Sequence, residues 1–174
     1  MNQPNILTER LILRTFGLSD ARDVQRLAGN INVAKMTLNV PHPYENDMAE
    51  EWINSHKEKT DSGIQITYAI ESLQLGVLIG AISLTHIEAK QANLGYWVGE
   101  QYWGKGYCTE AGKALIDHAF DELLLNRVYA LHLTSNPASG RVMQKIGMTH
   151  YATEERQDRL GRPASMELYE IECT

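Results

Sequence analysis

Residues 94–107 read LGYWVGEQYWGKGY, and this stretch constrains the fold more than any other part of the chain. Apolar residues alternate along its first half, a period that predicts a β-strand. Gly104 and Gly106 then allow a tight turn, and a helical pattern begins near Cys108. The first N–H groups of a helix lack intrahelical partners, and glycines leave the N–H groups of a turn uncovered. A strand, a glycine turn and a helix N-terminus in this order are typical of an anion site.

A second stretch, SNPASGRVMQKIGM at 135–148, follows after one predicted helix and one predicted strand. Together the two stretches resemble the GNAT superfamily of acetyl-CoA-dependent N-acetyltransferases. The pattern Q-x-x-G-x-G at 101–106 matches that superfamily's pyrophosphate loop. The patterns N-x-x-S at 136–139 and K-x-G-M at 145–148 are similar to its second motif. The segment TERLILR at 8–14 resembles the branch that contains the ribosomal-protein N-terminal acetyltransferases.

Hydrophobic periodicity along the chain predicts the element order β-α-α-β-β-β-α-β-α-β-β. Three strands that can pair antiparallel precede a βαβ unit, so we expect a mixed α/β sheet. The resemblance implies the GNAT fold, which is a mostly antiparallel central sheet with splayed strands and about four helices. We expect a single domain over residues 1–174, with a loop at 30–43. The expected strands are 6–16, 64–70, 76–85, 94–99, 127–134, 148–153 and 164–171, and the expected helices begin near 20, 46, 108 and 137.

A dinucleotide-binding fold is the main alternative for a strand followed by a glycine turn. That fold calls for a third glycine at the position of Thr109 and for alternating strands and helices from the start of the chain. Neither feature is present, which argues against this alternative.

Composition narrows the class of protein further. The 174 residues carry a formal net charge of −6, which argues against broad nucleic-acid binding. No apolar run approaches the roughly 20 residues of a membrane helix, and the first residues lack the pattern of a signal peptide. Cys108 and Cys173 are far apart and lack metal-ligand spacing, as do the histidines. We therefore expect a cytoplasmic protein with no metal, no membrane partner and no nucleic-acid partner.

The resemblance implies acetyl-CoA as the co-substrate. Its diphosphate is expected on backbone N–H groups of the glycine turn, and its pantetheine arm along the end of the strand before it. Asn136 has two readings, as a contact to the cofactor arm and as the cap of the helix that Pro137 begins. The expected cofactor-binding residues are Trp97, Val98, Gly99, Gly104, Lys105, Gly106, Tyr107, Cys108, Asn136 and Ser139.

Acetyl transfer to an amine needs a neutral amine, a donor for the carbonyl oxygen and a donor for the departing thiolate. A backbone N–H near Tyr96 or Trp97 is the expected oxygen donor. Many superfamily members supply the thiolate's proton from a tyrosine, but methionine stands at that position, 143, in this chain. Ser139 is therefore the expected acid.

The expected base is Asp158, by its spacing from the second motif, with Glu154 and Glu155 as neighbouring alternatives. Asn93 occupies another place where superfamily members carry a carboxylate. Cys108 offers a different route through an acyl-cysteine, because a helix N-terminus can lower a thiol pKa. Its place at the pyrophosphate end favours a packed residue instead.

These features predict an enzyme that transfers an acetyl group by direct attack of a primary amine. A protein or peptide N-terminal α-amine is the favoured acceptor, by the branch resemblance. The alternatives are a small amine such as a polyamine, an amino acid or an aminoglycoside, and a non-catalytic acyl-CoA-binding regulator. The methionine at position 143 and Asn93 favour the regulator. A homodimer is compatible with the resemblance.

Overall fold

A computed structural model describes residues 3–158 and 160–173. Its strands are β1 (Ile6–Leu7), β2 (Leu11–Arg14), β3 (Gln65–Ser72), β4 (Val77–Glu88), β5 (Gln91–Val98), β6 (Arg127–Leu133), β7 (Thr149–Gln157) and β8 (Pro163–Glu172). Its α-helices are α1 (Ala21–Ala28), α2 (Ile31–Lys35), α3 (Met48–Asp61), α4 (Tyr107–Asp121) and α5 (Pro137–Ile146). Short 3-10 turns cover Leu18–Asp20 and Glu100–Tyr102.

One mixed sheet contains all eight strands, in the order β1-β2-β3-β4-β5-β6-β8-β7. Every neighbouring pair is antiparallel except β5 and β6, which are parallel. The expected mixed, mostly antiparallel sheet is thus confirmed.

Two local differences from the sequence prediction have simple causes. The expected first strand is split into β1 and β2 by a tight turn, in which the Thr8 amide donates to the Leu11 carbonyl. The segment expected as a loop at 30–43 contains the short helix α2, so the part of the chain described here has five α-helices. The Asn30 side chain begins α2 by accepting a hydrogen bond from the Asn32 amide.

Helices cover both faces of the sheet. Tyr68 of β3 contacts His118 of α4 edge to face, which places α4 on the face that carries the Tyr68, Ile82 and Tyr96 row. The neighbouring residue Trp97 points to the opposite face, where its ring lies 6.5 Å from that of Trp52 in α3. Within the described residues, no helix is both long and apolar enough to cross a membrane.

The contact between β5 and β6 is short. The strands pair only from Gln91 with Arg127 to Leu94 with Ala130, and beyond these residues they part. A strand edge without a partner leaves backbone N–H and C=O groups uncovered. The sheet is therefore open along its middle, at the end where the glycine turn lies.

Candidate active site

A cavity of about 700 Å³ follows the opening between β5 and β6. It reaches both faces of the sheet, because Tyr96 and Ser139 line it from the side of α4 and α5 while Thr85 and Trp97 line it from the other side. The cavity therefore passes through the sheet, from the glycine turn to a chamber beneath α1 and the segment after α2.

The glycine turn at the mouth of this cavity is shaped for an anion. Gly104 and Gly106 have φ angles of 73° and 80°, a backbone conformation that residues with a Cβ rarely adopt. A Cβ at Gly104 would meet nothing within 4 Å, so the turn is open to solvent. Helix α4 starts directly afterwards, at Tyr107, and no side chain caps it. Its first N–H groups are thus available to a diphosphate.

Arg10 adds positive charge beside the turn. Its Nη1 donates to the Lys105 carbonyl at 2.9 Å, and its guanidinium stacks on the Tyr107 ring at 4.8 Å. A Cβ on Gly106 would lie 3.5 Å from its Nη2. From the sequence, Arg10 was noted only as part of the TERLILR segment, and no contact with the glycine turn was predicted for it. Nothing in the sequence spacing indicates a contact with a turn that lies so far along the chain.

Other cations line the cavity from α5. Arg141 and Lys145 are one helical turn apart, and both border the cavity. Lys105 is exposed, and its ammonium group lies 5.8 Å from the centre of the Tyr102 ring. This end of the cavity thus combines uncovered N–H groups with positive charge, which suits a polyphosphate.

The open edge of β5 modifies the prediction for the pantetheine arm. The Gly99 amide already donates to the Ile79 carbonyl at 2.9 Å, so odd-numbered residues at this end bond toward β4. By alternation, the N–H groups of Tyr96 and Val98 point into the opening. The Val98 carbonyl accepts a 2.9 Å hydrogen bond from the Trp103 indole. Trp97 and Val98 both line the cavity.

Gly99 has a packing role that the sequence did not reveal. A Cβ at this position would lie 2.6 Å from Cδ2 of Leu27 in α1. The lack of a Cβ here thus accommodates the close approach of Leu27 in α1 to the end of β5.

Tyr96 and Ser139 form the central polar pair of the site. Their hydroxyl oxygens are 2.8 Å apart, and the Tyr96 hydroxyl also lies 3.1 Å from the Ser139 carbonyl. Burial raises the pKa of Tyr96, so its phenol stays protonated at neutral pH. Sequence reasoning had proposed Ser139 without this partner. The strand alternation places Tyr96 on the α5 side, but the identity of its partner depends on how α5 packs.

Asn136 holds Ser139 in place. Its Oδ1 accepts from the Ser139 amide at 3.4 Å, which is the expected helix cap, and its Nδ2 donates to the Met36 carbonyl at 3.0 Å. The same side chain therefore ties α5 to the segment after α2, and it also lines the cavity.

Cys108 lines the cavity but carries an unreactive thiol. Burial raises its pKa to about 12, so the thiolate is scarce at neutral pH. Desolvation of the side chain is the cause of this shift.

Asp158 is not brought to the cavity. It lies in the turn between β7 and β8, where its carboxylate accepts hydrogen bonds from the amides of Leu160 and Arg162 and from Nε of Arg162. These bonds hold its pKa below the ordinary value and fix the turn. Glu154, which pairs with Arg156, and Glu155 lie on the exposed strand β7, away from the cavity lining. The structure therefore gives Asp158 a turn-forming role outside the cavity lining.

The chamber on the α1 and α3 face has a neutral polar floor, formed by Gln65, Thr67, Ser83, Thr85 and Asn93. Among the described residues that line the whole cavity, none is Asp or Glu. The lining also holds one histidine, His132, on the other face of the sheet. Its Nδ1 lies 2.8 Å from the Leu133 carbonyl, and its ring packs against Gly140 of α5. In the described parts of the chain, no three His, Cys, Asp or Glu side chains group as metal ligands would.

Comparison with known proteins agrees with this geometry. A family model described as an acetyltransferase (GNAT) domain matches residues 10–149. The uncharacterized N-acetyltransferase YnaD of Bacillus subtilis is 27% identical over 145 residues, which cover 83% of this chain and 82% of that protein. The ribosomal-protein-serine acetyltransferase of Escherichia coli is 38% identical over 72 residues, which cover 40% of each chain. A solved structure of spermidine N-acetyltransferase from Vibrio cholerae, in complex with CoA and spermine, has a TM-score of 0.80 at 20% identity and covers 95% of this chain and 96% of that one.

Proposed function

The chain belongs to the GNAT acetyltransferase family, and we propose that it transfers the acetyl group of acetyl-CoA to the N-terminal α-amine of a peptide or protein. The family establishes an acetyl-CoA-dependent N-acetyltransferase. The choice of acceptor is the proposal, and the neutral floor of the chamber supports it.

The observation that carries the proposal is the absence of carboxylates from the described cavity lining. A polyamine has several cationic amines, and a site for it needs negative side chains to replace their hydration. The only charged side chains in the described lining are Arg141 and Lys145, which are cationic and lie at the end that suits a polyphosphate, so the lining offers a polyamine no negative partner. An α-amine brings a single charge and a peptide backbone, whose polar groups suit the hydroxyls and amides of the floor.

The basicity of the acceptor amine also favours an α-amine as the substrate. A lysine-like amine has a pKa near 10.4 and an α-amine a pKa of about 7.7–8.0, so a much larger share of the α-amine is neutral at pH 7. A site without a carboxylate base is better matched to the less basic amine. The E. coli relative acts on ribosomal-protein serine by its name, which agrees with a protein acceptor. The Vibrio cholerae neighbour acts on spermidine by its name and represents the rival class.

When bound, acetyl-CoA supplies the acetyl group as a thioester. The glycine turn and Arg10 would hold the diphosphate, and the open edge of β5 would bond the pantetheine arm. The Tyr96 N–H, which points into the opening, would donate to the carbonyl oxygen as that oxygen gains negative charge. The residues present therefore fit the group that the family uses.

Ser139 and Tyr96 would stabilise the departing thiolate by hydrogen bonding. The 2.8 Å contact lets the serine hydroxyl donate a hydrogen bond to sulfur while the tyrosine hydroxyl donates one to the serine oxygen. Both hydroxyls keep their protons, which agrees with the raised pKa of Tyr96, and the proton that the amine nitrogen loses on forming the amide balances the charge of the thiolate. The protonated thiol of Cys108 favours direct attack by the amine over an acyl-cysteine route.

The test uses purified protein, acetyl-CoA and three acceptors at equal concentration, with release of free thiol and product mass as readouts. The acceptors are a peptide with a free α-amine, the same peptide with a blocked N-terminus and one free lysine, and spermidine. We expect kcat/KM to be at least about tenfold higher with the free α-amine than with the lysine. The pKa of the lysine amine is more than two units higher, so a smaller share of it is neutral and able to attack. Preference for spermidine would overturn the proposed acceptor. Tight acetyl-CoA binding without turnover on any acceptor would favour the non-catalytic regulator.

A further inference from the structure

Strand β4 is irregular at the edge of the acceptor chamber. Thr85 pairs with Asn93 of β5, and the next pair joins Glu88 to Gln91, so β4 carries one extra residue between these positions. His86 lies in this bulge with a φ angle of 52°. Only a few per cent of residues other than glycine adopt this left-handed conformation, and they concentrate at functional sites.

The bulge turns the His86 side chain toward its neighbour. Adjacent residues of a regular strand point to opposite faces, but here Nδ1 of His86 lies 3.1 Å from Oγ1 of Thr85. Thr85 lines the cavity, whereas His86 is exposed to solvent. The pair therefore connects the acceptor chamber with bulk water.

The Thr85 hydroxyl is oriented for this connection. Nδ2 of Asn93 donates to Oγ1 of Thr85 at 3.1 Å, which occupies an acceptor position of the hydroxyl. The hydrogen of the hydroxyl can then point to His86 or to the Asn93 carbonyl, which is more distant at 3.5 Å. The residues that pair with Thr85 from the neighbouring strands are Gln65 and Asn93, both neutral amides. Neither strand brings a competing charge to this register.

We propose that Thr85 and His86 form the proton exit of the acceptor site. This inference rests on the proposed acetyl transfer and supplies the base that the cavity lining lacks. The acceptor ammonium gives a proton to Oγ1 of Thr85 as the threonine hydroxyl gives its own proton to Nδ1 of His86. The amine is left with its lone pair for attack, and the imidazolium of His86 releases the proton to solvent.

The spacing of the sheet allows this transfer. Ser83 and Gly95 form the next row toward the Tyr96 N–H, and the Ser83 hydroxyl lies against Gly95. Rows two residues apart along a strand are separated by about 7 Å, so an acceptor amine held between the Gly95 row and the Thr85 row lies within hydrogen-bond reach of Oγ1 of Thr85. Histidine is suited to the outer end, because its imidazole nitrogen can accept a proton and pass it on.

Variants at both positions can separate proton transfer from folding. His86→Asn keeps a residue that tolerates a left-handed φ but cannot act as a base, and His86→Gly leaves room for free imidazole. Thr85→Val removes the hydroxyl with little change of shape, and Thr85→Ser restores it. His150→Gln is the matched control, since this exposed histidine pairs with Glu167 outside the cavity lining.

The first measurement is kcat against pH with the α-amine peptide. We expect His86→Asn and Thr85→Val to lower kcat about 10²-fold at pH 7, and the deficit to shrink at pH 9.5, where the acceptor is already neutral. Imidazole should restore part of the activity of His86→Gly, and Thr85→Ser should resemble the wild type. Equal activity of His86→Asn and the wild type at pH 7, or a deficit that is the same at every pH, would overturn the proposal.

The second measurement needs neither substrate nor turnover. Nitrogen NMR of the ligand-free protein should show His86 as the Nε2–H tautomer in the wild type, and this preference should weaken in Thr85→Val. An Nδ1–H tautomer in the wild type would overturn the relay. A wild-type protein that acetylates none of the acceptors would instead overturn the proposed function itself, so the two failures are distinct.

Discussion

Nε of Arg10 donates a 2.6 Å hydrogen bond to Oε2 of Glu110, which joins the start of β2 to the first turn of α4. The other carboxylate oxygen accepts from the Arg10 amide and from the Thr8 hydroxyl. The carboxylate of Glu110 thus fixes the guanidinium that also holds the Lys105 carbonyl. The TERLILR segment at the front of the chain therefore supports the glycine turn.

Arg10→Gln should weaken CoA binding. The change removes the charge beside the turn and the bond to the Lys105 carbonyl, and a bond to a charged group contributes about 1.5–3 kcal/mol. We expect the Kd for CoA, measured by calorimetry, to rise roughly tenfold or more. Arg26→Gln is the control, because Arg26 pairs with Asp23 on the surface of α1. Equal Kd values for the two variants would remove Arg10 from the cofactor site.

Gly104→Asp should weaken CoA binding at the glycine turn, because the new carboxylate would repel the diphosphate. Asn and Asp both tolerate a left-handed φ, so Gly104→Asn is an isosteric control. A carboxylate about 5 Å from a phosphate, at an effective dielectric near 20, costs about 3 kcal/mol for each unit charge. We expect CoA affinity to fall on the order of 10²-fold more in the Asp variant than in the Asn variant. Equal affinities would mean that the diphosphate lies elsewhere.

Ser139→Ala and Tyr96→Phe should each lower kcat about 10²-fold while leaving the Kd for acetyl-CoA within a few-fold of the wild type. The reason is that both hydroxyls would serve the departing thiolate rather than the binding of the cofactor. The double variant should be little slower than either single variant, because the hydroxyls act as one hydrogen-bonded pair. Additive losses in pre-steady-state kinetics would show that the two residues act independently.

Cys108→Ala should retain turnover, and the thiol should resist alkylation. With its pKa raised to about 12 by burial, almost no thiolate is present at pH 8, whereas Cys173 is exposed. Iodoacetamide followed by peptide mass analysis should modify Cys173 first. An acetylated peptide that contains Cys108 would instead support an acyl-cysteine route.

His56 should make stability depend on pH in the acid range. Its ring is buried among Phe16 and Trp52, and burial lowers its pKa from 6.5 to about 4. The unfolded chain takes up the proton first, so stability is full above pH 6.5 and falls as the pH drops toward 4, by up to about 3 kcal/mol. His56→Leu should flatten this part of the curve in urea unfolding at several pH values. An unchanged slope would assign the acid sensitivity to other groups.

The sequence predicted most of the fold because its signals are local. Alternation marked β3 to β6, the glycine turn marked the start of α4, and Asn136 with Pro137 marked the start of α5. Helix α2 was missed because a five-residue helix hardly shows a period. The division between β1 and β2 was missed because the turn, Thr8-Glu9-Arg10, contains no glycine or proline to mark it.

The site was less accessible to sequence reasoning, since it depends on contacts between distant elements. The Arg10–Glu110 pair, the Tyr96–Ser139 pair and the Asn136 bond to Met36 all join residues far apart in the chain. The prediction for Asp158 used spacing within one hairpin. Spacing could not show that the carboxylate accepts hydrogen bonds from the backbone of its own turn. The contact between Thr85 and His86 depends on a β-bulge, and no glycine or proline in residues 85–88 predicts that bulge.

The short contact between β5 and β6 has a mechanical consequence. With only the pairs from Gln91–Arg127 to Leu94–Ala130, the sheet is two leaves, β1–β5 and β6–β8, that are joined to each other at one end. Tyr96 belongs to the first leaf, whereas Ser139 lies on α5, which packs on the second. Their hydrogen bond therefore joins the two leaves across the opening. Substitutions in the four β5–β6 pairs, remote from any reacting atom, should alter catalysis by changing the spacing of these two hydroxyls.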